Sequence, residues 1–177
     1  MARRRAPAPP LALEIRQFRA QADQVAVLAL FEEGMLAYAD HGASAASLAY
    51  IQRSMETDLA DIPGVYIKAG GNFWVAIDEA VNEVVGMIAL GKTRAGAGEL
   101  RRMSVRHEYR RLGVGTCLVH HLEEWAKTNK FTSVSLTTGE VMLAAQQFYT
   151  NIGYKKQGTI VRCEDPYYAD VLFEKQL

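Results

Sequence analysis

Apolar residues recur along this chain at two different spacings, and the change from one to the other divides it. Val25, Leu28, Phe31, Met35 and Tyr38 follow at three- and four-residue intervals, which gathers side chains on one helical face. Asp23 stands just ahead as a candidate N-cap. A second helix is predicted where Leu48, Ile51, Met55 and Leu59 share a face, with Pro63-Gly64 at its end. Ahead of both, "LEIRQF" at 13–18 reads as a strand. Further on the apolar residues run together. "NFWVAI" (72–77) and "VVGMIAL" (84–90) are joined by the polar "DEAVNE", a predicted hairpin. A glycine-rich loop, Gly91 to Gly98, leads to "ELRRMSV" (99–105). Leu100, Met103 and Val105 do not alternate cleanly there, so this strand is either buried on both faces or bulged.

The spacing becomes helical again at Val114, Leu118, Leu122 and Trp125, with Glu123, Glu124 and Lys127 on the other side. "FTSVSLTT" (131–138) is a strand broken by Gly139. A short helix with Ala144, Ala145, Phe148 and Tyr149 ends near Gly153, a natural C′ residue. "YKKQGTIVRC" and "DVLFEKQL" supply two final strands, the latter with Val171 and Phe173 on one side. The order β-α-α-β-β-β-α-β-α-β-β describes an α/β (α+β) protein, a sheet with helices packed on it. At 177 residues the chain suits a single domain over 11–177, and the Pro/Ala-rich residues 1–10 read as a disordered tail. An arginine-rich transit peptide is the other reading of that tail, weakened by its lack of serine.

The formal net charge is zero, so the molecule as a whole does not attract nucleic acid or an anionic membrane. No apolar run approaches the ~20 residues of a bilayer span. Cys117 and Cys163 carry no metal-site spacing, so no metal is expected. Two unpatterned cysteines suit a reducing compartment, and a cytoplasmic location is expected. Cys117, in the first turn of a packed helix, reads as a small core residue. His120 and His121 read as a solvated pair.

Local charge changes this picture. Arg101, Arg102, Arg106, His107, Arg110 and Arg111 precede the third helix, and "RRLGVG" (110–115) lies between a strand and that helix. The first turn of a helix leaves N–H groups without partners, and glycines let an anion reach them. Neither GxxxxGK[ST] nor the three-glycine dinucleotide motif is present. A tight turn beside a solvated basic edge is the plainer reading. The order strand, basic run, GxG, amphipathic helix favours an anion site.

Arg110-Arg111-Leu112-Gly113-Val114-Gly115 resembles motif A of the GCN5-related N-acetyltransferase (GNAT) superfamily, [RQ]-x-x-G-x-[GA]. "AAQQFYTNIGYKK" is similar to motif B of that family, and the hairpin before motif A fits as well. Within the superfamily the chain looks nearest to camello-type acetyltransferases, which include cysteine S-conjugate and lysine side-chain N-acetyltransferases. It lacks the hydrophobic segment of their vertebrate members between Tyr38 and Ile67. The resemblance implies the acyl-CoA N-acyltransferase fold, with a mixed, mostly antiparallel sheet. It implies acetyl-CoA as cosubstrate and a primary amine as acceptor: a small-molecule amine, an amino-acid conjugate or a lysine side chain. Backbone groups of Met103, Ser104 and Val105 would meet the pantetheine arm, with an oxyanion donor near Met103. Arg110, Arg111, Leu112, Gly113, Val114, Gly115 and Thr116 would hold the pyrophosphate. Glu99 has the spacing of a general base found in some members, and is otherwise a solvated strand-end acid. Tyr149 matches the motif B tyrosine near the thioester sulfur, where it would protonate the leaving thiolate, and is otherwise a core residue beside Phe148.

Three functions compete at this stage. The first is an acetyl-CoA-dependent N-acetyltransferase. A catalytically silent acyl-CoA-binding module would share the pyrophosphate site and differ at Glu99 and Tyr149. A nucleic-acid binder using the arginines is disfavoured by zero net charge and by the lack of aromatic residues interleaved with basic ones. Members of the superfamily often pair as homodimers, and the sequence carries no feature that decides it.

Overall fold

The computed structural model describes residues 11–37, 45–94, 96–165 and 167–177. Residues 1–10 and Tyr38, on which two sequence expectations rest, lie outside them. The chain runs β1 (Leu13–Gln17), α1 (Ala20–Leu36), α2 (Ala45–Glu56), β2 (Asn72–Asp78), β3 (Glu83–Arg94), β4 (Ala97–Val105), α3 (Val114–Thr128), β5 (Ser133–Gly139), α4 (Leu143–Asn151), β6 (Lys155–Glu164) and β7 (Tyr167–Gln176). The order of helices and strands is the predicted one. Among the described residues the strands form one sheet in the order β1-β2-β3-β4-β5-β7-β6. Only β4 and β5 are parallel neighbours, so the sheet is mixed and mostly antiparallel, as expected.

Two cores lie on the two faces. α3 packs Val114, Leu118 and Leu122 against Trp74, Ile88, Leu100, Val134, Leu136, Val171 and Phe173. α1, α2 and the segment after them cover Phe73, Val75, Ile77 and Met87 with Val27, Leu30, Phe31, Ile51, Leu59 and Tyr66. β2 and most of β3 are therefore buried on both sides, which is why their apolar residues run together.

Several boundaries and faces differ from expectation. Asp23 is not the N-cap of α1, which begins at Ala20. Its carboxylate instead accepts the Arg19 N–H (2.7 Å) and both Arg16 guanidinium nitrogens (2.7 and 2.8 Å). α1 buries Val27, Leu30, Phe31 and Gly34, while Val25 is 83% exposed. An alanine-rich helix offers several apolar faces, and periodicity alone cannot choose among them. Leu48 is likewise exposed. Pro63-Gly64 does not end a helix but opens a π-helical turn, Pro63–Ile67. The expected glycine loop is mostly strand: β3 runs to Arg94, β4 starts at Ala97, and Gly98 pairs with Lys92. At the end of α4, Gly153 does take the C′ position at φ 95°. The Gly153 and Tyr154 amides bond back to the Thr150 and Tyr149 carbonyls (3.1 and 3.0 Å), the double closure of a Schellman motif.

Trp74 measures how much the α3 face contributes. It is 2% exposed and meets Trp125 and His121 edge-on, with centroids 5.4 and 5.6 Å away. Trp74→Ala is expected to cost about 3–5 kcal/mol of stability, read from urea unfolding. A loss below about 1 kcal/mol would contradict this packing.

Candidate active site

The parallel contact between β4 and β5 is short. Ala97, Gly98 and Glu99 pair with Ser133, Val134 and Ser135, and the pairing stops there. β5 continues alongside β7, from Leu136 opposite Phe173 to Gly139 opposite Asp170. β4 continues to Val105 with β3 as its only strand partner among the described residues. The two strands therefore part after Glu99 and leave a cleft edged by unpaired backbone.

β4 is bulged at this cleft, which resolves its broken alternation. Arg101 pairs with Ala89 and Ser104 with Met87, so Arg102 and Met103 together face Ile88. Arg102 has φ 53°, a left-handed backbone that costs a non-glycine residue about 1–3 kcal/mol. Its side chain is tied down on the α1/α2 face. Nε and Nη2 donate to the two Asp58 oxygens at 2.8 and 2.5 Å, Nη1 donates to Tyr50 Oη at 3.0 Å, and the Tyr66 hydroxyl also donates to Asp58. The guanidinium lies 4.9 Å from the centroid of Phe31. Burial opposes charge on Asp58, but Arg102 first and then Tyr66 outweigh it and hold its carboxyl below the usual aspartate range. Ser104 also points to this face, donating to the Leu30 carbonyl at 3.2 Å.

α3 begins beside the same stretch of β4. A Cβ on Gly115 would lie 3.0 Å from Met103 Cε and 3.4 Å from Phe148 Cζ, so a side chain there would have to push the end of Met103 aside. Gly113, the N-cap, has φ 88°, and no side chain caps the helix. The first backbone bond onto the cap runs from Cys117 N–H to Gly113 O (3.0 Å). The amides of Val114, Gly115 and Thr116 thus have no intrahelical acceptor. Arg111 is exposed at φ 61°, and Leu112 is exposed. The result is an open ring of amides with the positive end of a helix dipole behind it.

The two proton-transfer candidates stand on opposite faces of the sheet. Glu99 is half-exposed, 4.0 Å from Arg101 Nε. It alternates with Leu100, which is buried on the α3 face. Tyr149 is on the α3 face, 6% exposed, with Phe148, Tyr154 and Phe173 at centroid distances of 5.2, 5.8 and 6.3 Å. Phe173 pairs with Leu136, the first β5 residue past the point of separation.

Comparison with known proteins matches a family model, the acetyltransferase (GNAT) domain, over residues 69–156. That span contains the bulge, the cleft and the open helix end. The chain carries a GNAT acetyltransferase domain. It is 36% identical over 115 residues to N-acetylaspartate synthetase of Xenopus tropicalis, covering 64% of this chain and 42% of that protein. It is 33% identical over 114 residues to N-acetyltransferase family 8 member 2 of Rattus norvegicus, covering 62% and 50%. The chain therefore spans about half the length of such relatives. The PaiA N-acetyltransferase of Thermoplasma acidophilum, solved with coenzyme A, shares the fold at TM-score 0.80 and 20% identity, covering 94% of this chain and 100% of that one. A GNAT-family acetyltransferase of Staphylococcus aureus Mu50 matches at TM-score 0.75 and 22% identity, covering 94% and 99%.

Within the GNAT domain the basic run is not one patch. Arg102 is paired with Asp58, and Arg106 with Glu83 at 2.6 Å. Arg110 turns back, its Nε donating to the Val105 carbonyl at 3.2 Å. The His107 amide donates to Glu33 at 3.2 Å. Three side chains depart from expectation. Cys117 is exposed because it faces away from the sheet. Glu123 is 5% exposed and paired with Lys175. His121 is half-buried against Trp74, and burial lowers its pKa. Asp58, Tyr66 and Tyr50 were not singled out from sequence. They lie on segments remote from β4, and no local motif links them to it. No helix among the described residues is long and apolar enough to cross a membrane.

The buried acids set an acid limit on stability. Asp23 is also held below the usual range: burial opposes its charge, and Arg16 together with the Arg19 N–H outweighs it. A carboxyl depressed in the folded state protonates first in the unfolded chain, so its stabilisation is complete above the unfolded value and lost as pH falls. Taking 3.8 as that value, the melting temperature is expected to hold from pH 7 to about 5 and then fall through pH 3. Asp58→Asn should flatten that decline; an unchanged slope would show that Asp58 does not contribute to it.

Proposed function

We propose that this protein is an acetyl-CoA-dependent N-acetyltransferase that passes the acetyl group directly to a primary amine. One observation carries the reading: the separation of β4 from β5 opens beside the uncapped start of α3, so unpaired strand backbone and unpaired helix amides face one ligand. The amides around Gly113 to Thr116, with Arg110 and Arg111, suit a pyrophosphate. The backbone of Met103 to Val105 suits the alternating amides of a pantetheine arm. Bound there, acetyl-CoA supplies an activated thioester, so the protein needs no nucleophile of its own.

The chain's residues then move two protons and steady one charge. Glu99 takes a proton from the acceptor ammonium, directly or through water, so that the nitrogen lone pair forms the C–N bond. A β4 amide at the bulge faces the carbonyl oxygen as it gains negative charge. As the C–S bond breaks, Tyr149 gives its proton to the departing sulfur, and the attacking nitrogen's second proton leaves to solvent, which also restores the phenol. The relatives named N-acetylaspartate synthetase make aspartate the first acceptor to try. A cytoplasmic location belongs to the same reading.

The test is coenzyme A release with a panel of amines. Amine-dependent release is expected, with Tyr149→Phe lowering kcat on the order of 100-fold. Glu99→Gln should likewise lower kcat on the order of 100-fold. Coenzyme A binding with no turnover on any amine would instead make the protein a silent acyl-CoA-binding module.

A further inference from the structure

We propose that the buried Asp58–Arg102 pair is a positioning device for the acetyl-transfer step: by fixing the bulge residue Arg102 it aims the Met103 N–H at the reacting carbonyl. This rests on the function proposed above. The Met103 amide belongs to the rigid peptide plane that begins at Arg102, so whatever holds the Arg102 backbone also sets the direction of that N–H. Arg102 is the bulge residue held at positive φ. On the cleft side β4 has no strand partner past Glu99 among the described residues, so sheet pairing there does not hold it. The restraint comes from the opposite face. The Arg102 fork is bidentate on Asp58, Tyr66 donates to the same carboxylate, and the guanidinium plane lies over Phe31. Asp58 follows α2 and Tyr66 lies in the π-helical turn, so the device ties the N-terminal helices to one peptide of β4. On the other side Met103 reaches toward Gly115, and the same peptide thereby borders the pyrophosphate end. Arg102 touches neither cosubstrate nor acceptor in this scheme; it acts through Met103.

The test uses Arg102→Lys, Asp58→Asn and Tyr66→Phe in the full chain. Lysine keeps the charge but loses the fork. Arg102→Lys and Asp58→Asn are expected to lower kcat on the order of 100-fold, the effect of losing one oxyanion donor. KM for acetyl-CoA and the calorimetric Kd for coenzyme A should stay within about threefold of wild type. The pH–kcat profile should fall without moving its limbs. Tyr66→Phe keeps the ion pair and folding intact and should cost about fivefold or less. Hydrogen exchange with acetyl-CoA bound and no amine present gives a readout independent of turnover: the Met103 amide should exchange at least about tenfold faster in Arg102→Lys while β2 and β5 amides are unchanged. An unchanged kcat, or Tm, Kd and kcat all worsening together, overturns the proposal, as does unaltered exchange at Met103. If wild-type protein binds coenzyme A but acetylates no amine, the proposed function fails, and the exchange result alone decides whether the pair aims this peptide.

Discussion

Gly113→Val is expected to weaken coenzyme A binding at least about tenfold while leaving the melting temperature within a few degrees of wild type. Gly113 is the N-cap of α3 at φ 88°. An L-residue costs roughly 1–2 kcal/mol in left-handed backbone, and a β-branched one is worst placed there. A Cβ at this position meets nothing within 4 Å, so the substitution collides with no protein atom. The turn must shift or strain, and either moves the amides of Val114 to Thr116. A shift worth 1.4 kcal/mol in binding is about a factor of ten. Gly158 is the matched control. A Cβ there also meets open space, but its φ is not positive and it lies in β6, away from α3. Gly158→Val should leave Kd unchanged. Calorimetry on both variants reads the result, and equal affinities for Gly113→Val and wild type would remove the anion site from this turn.

Glu123→Ala should be among the most destabilising single changes, at about 3–5 kcal/mol. Glu123 is 5% exposed, and both its oxygens accept from Lys175 Nζ at 2.8 Å. Lys175 also donates to the Ile152 carbonyl at 2.8 Å, next to the Schellman closure of α4. Removing the carboxylate leaves a partly buried ammonium with one acceptor, beneath the turn that positions Tyr149 and Tyr154. Tyr154 sits on the same pair. Its hydroxyl proton is harder to lose than usual because the ring is buried and, secondly, because Glu123 is near. Glu123→Leu combined with Lys175→Met should recover most of the loss, since apolar side chains of similar volume often replace a buried pair without penalty. Urea unfolding of the single and double variants measures both terms. A double variant no more stable than Glu123→Ala would show that the pair stabilises by more than avoiding an unpaired charge.

Glu123 also shows where sequence reading fails. In α3 the apolar positions were correctly assigned, because Val114, Leu118 and Leu122 recur at helical spacing and a sheet face must be covered. Glu123, adjacent to Leu122, reads as surface in the sequence because its partner is on β7, far along the chain. Arg102 is a second such case. Among neighbouring arginines it reads as part of an anion patch, and its buried partner Asp58 lies on another element. The order of elements was legible because period-two, period-3.6 and continuous apolar runs differ, and punctuation such as Gly139 and Gly153 falls between them. The face of α1 was not, since alanine at many positions blurs the stripe. Motif A and the irregular strand before it pointed to the open helix end and to the bulge. The cleft itself has no sequence signature, because it arises where two strands stop pairing.

α3 has a double role with a consequence for how the protein can vary. Its flank clamps residues from β2, β3 and β4 together with residues from β5 and β7, so it spans the gap at which the sheet divides. Its first turn is the open amide end. The open amide end is therefore anchored to the core, and a ligand arriving there would order little. The α1/α2 side is built differently at its rim, where Tyr50 and Tyr168 are half-exposed. A change at the first turn of α3 is therefore felt across the whole sheet, whereas one at Tyr168 is felt only at the surface.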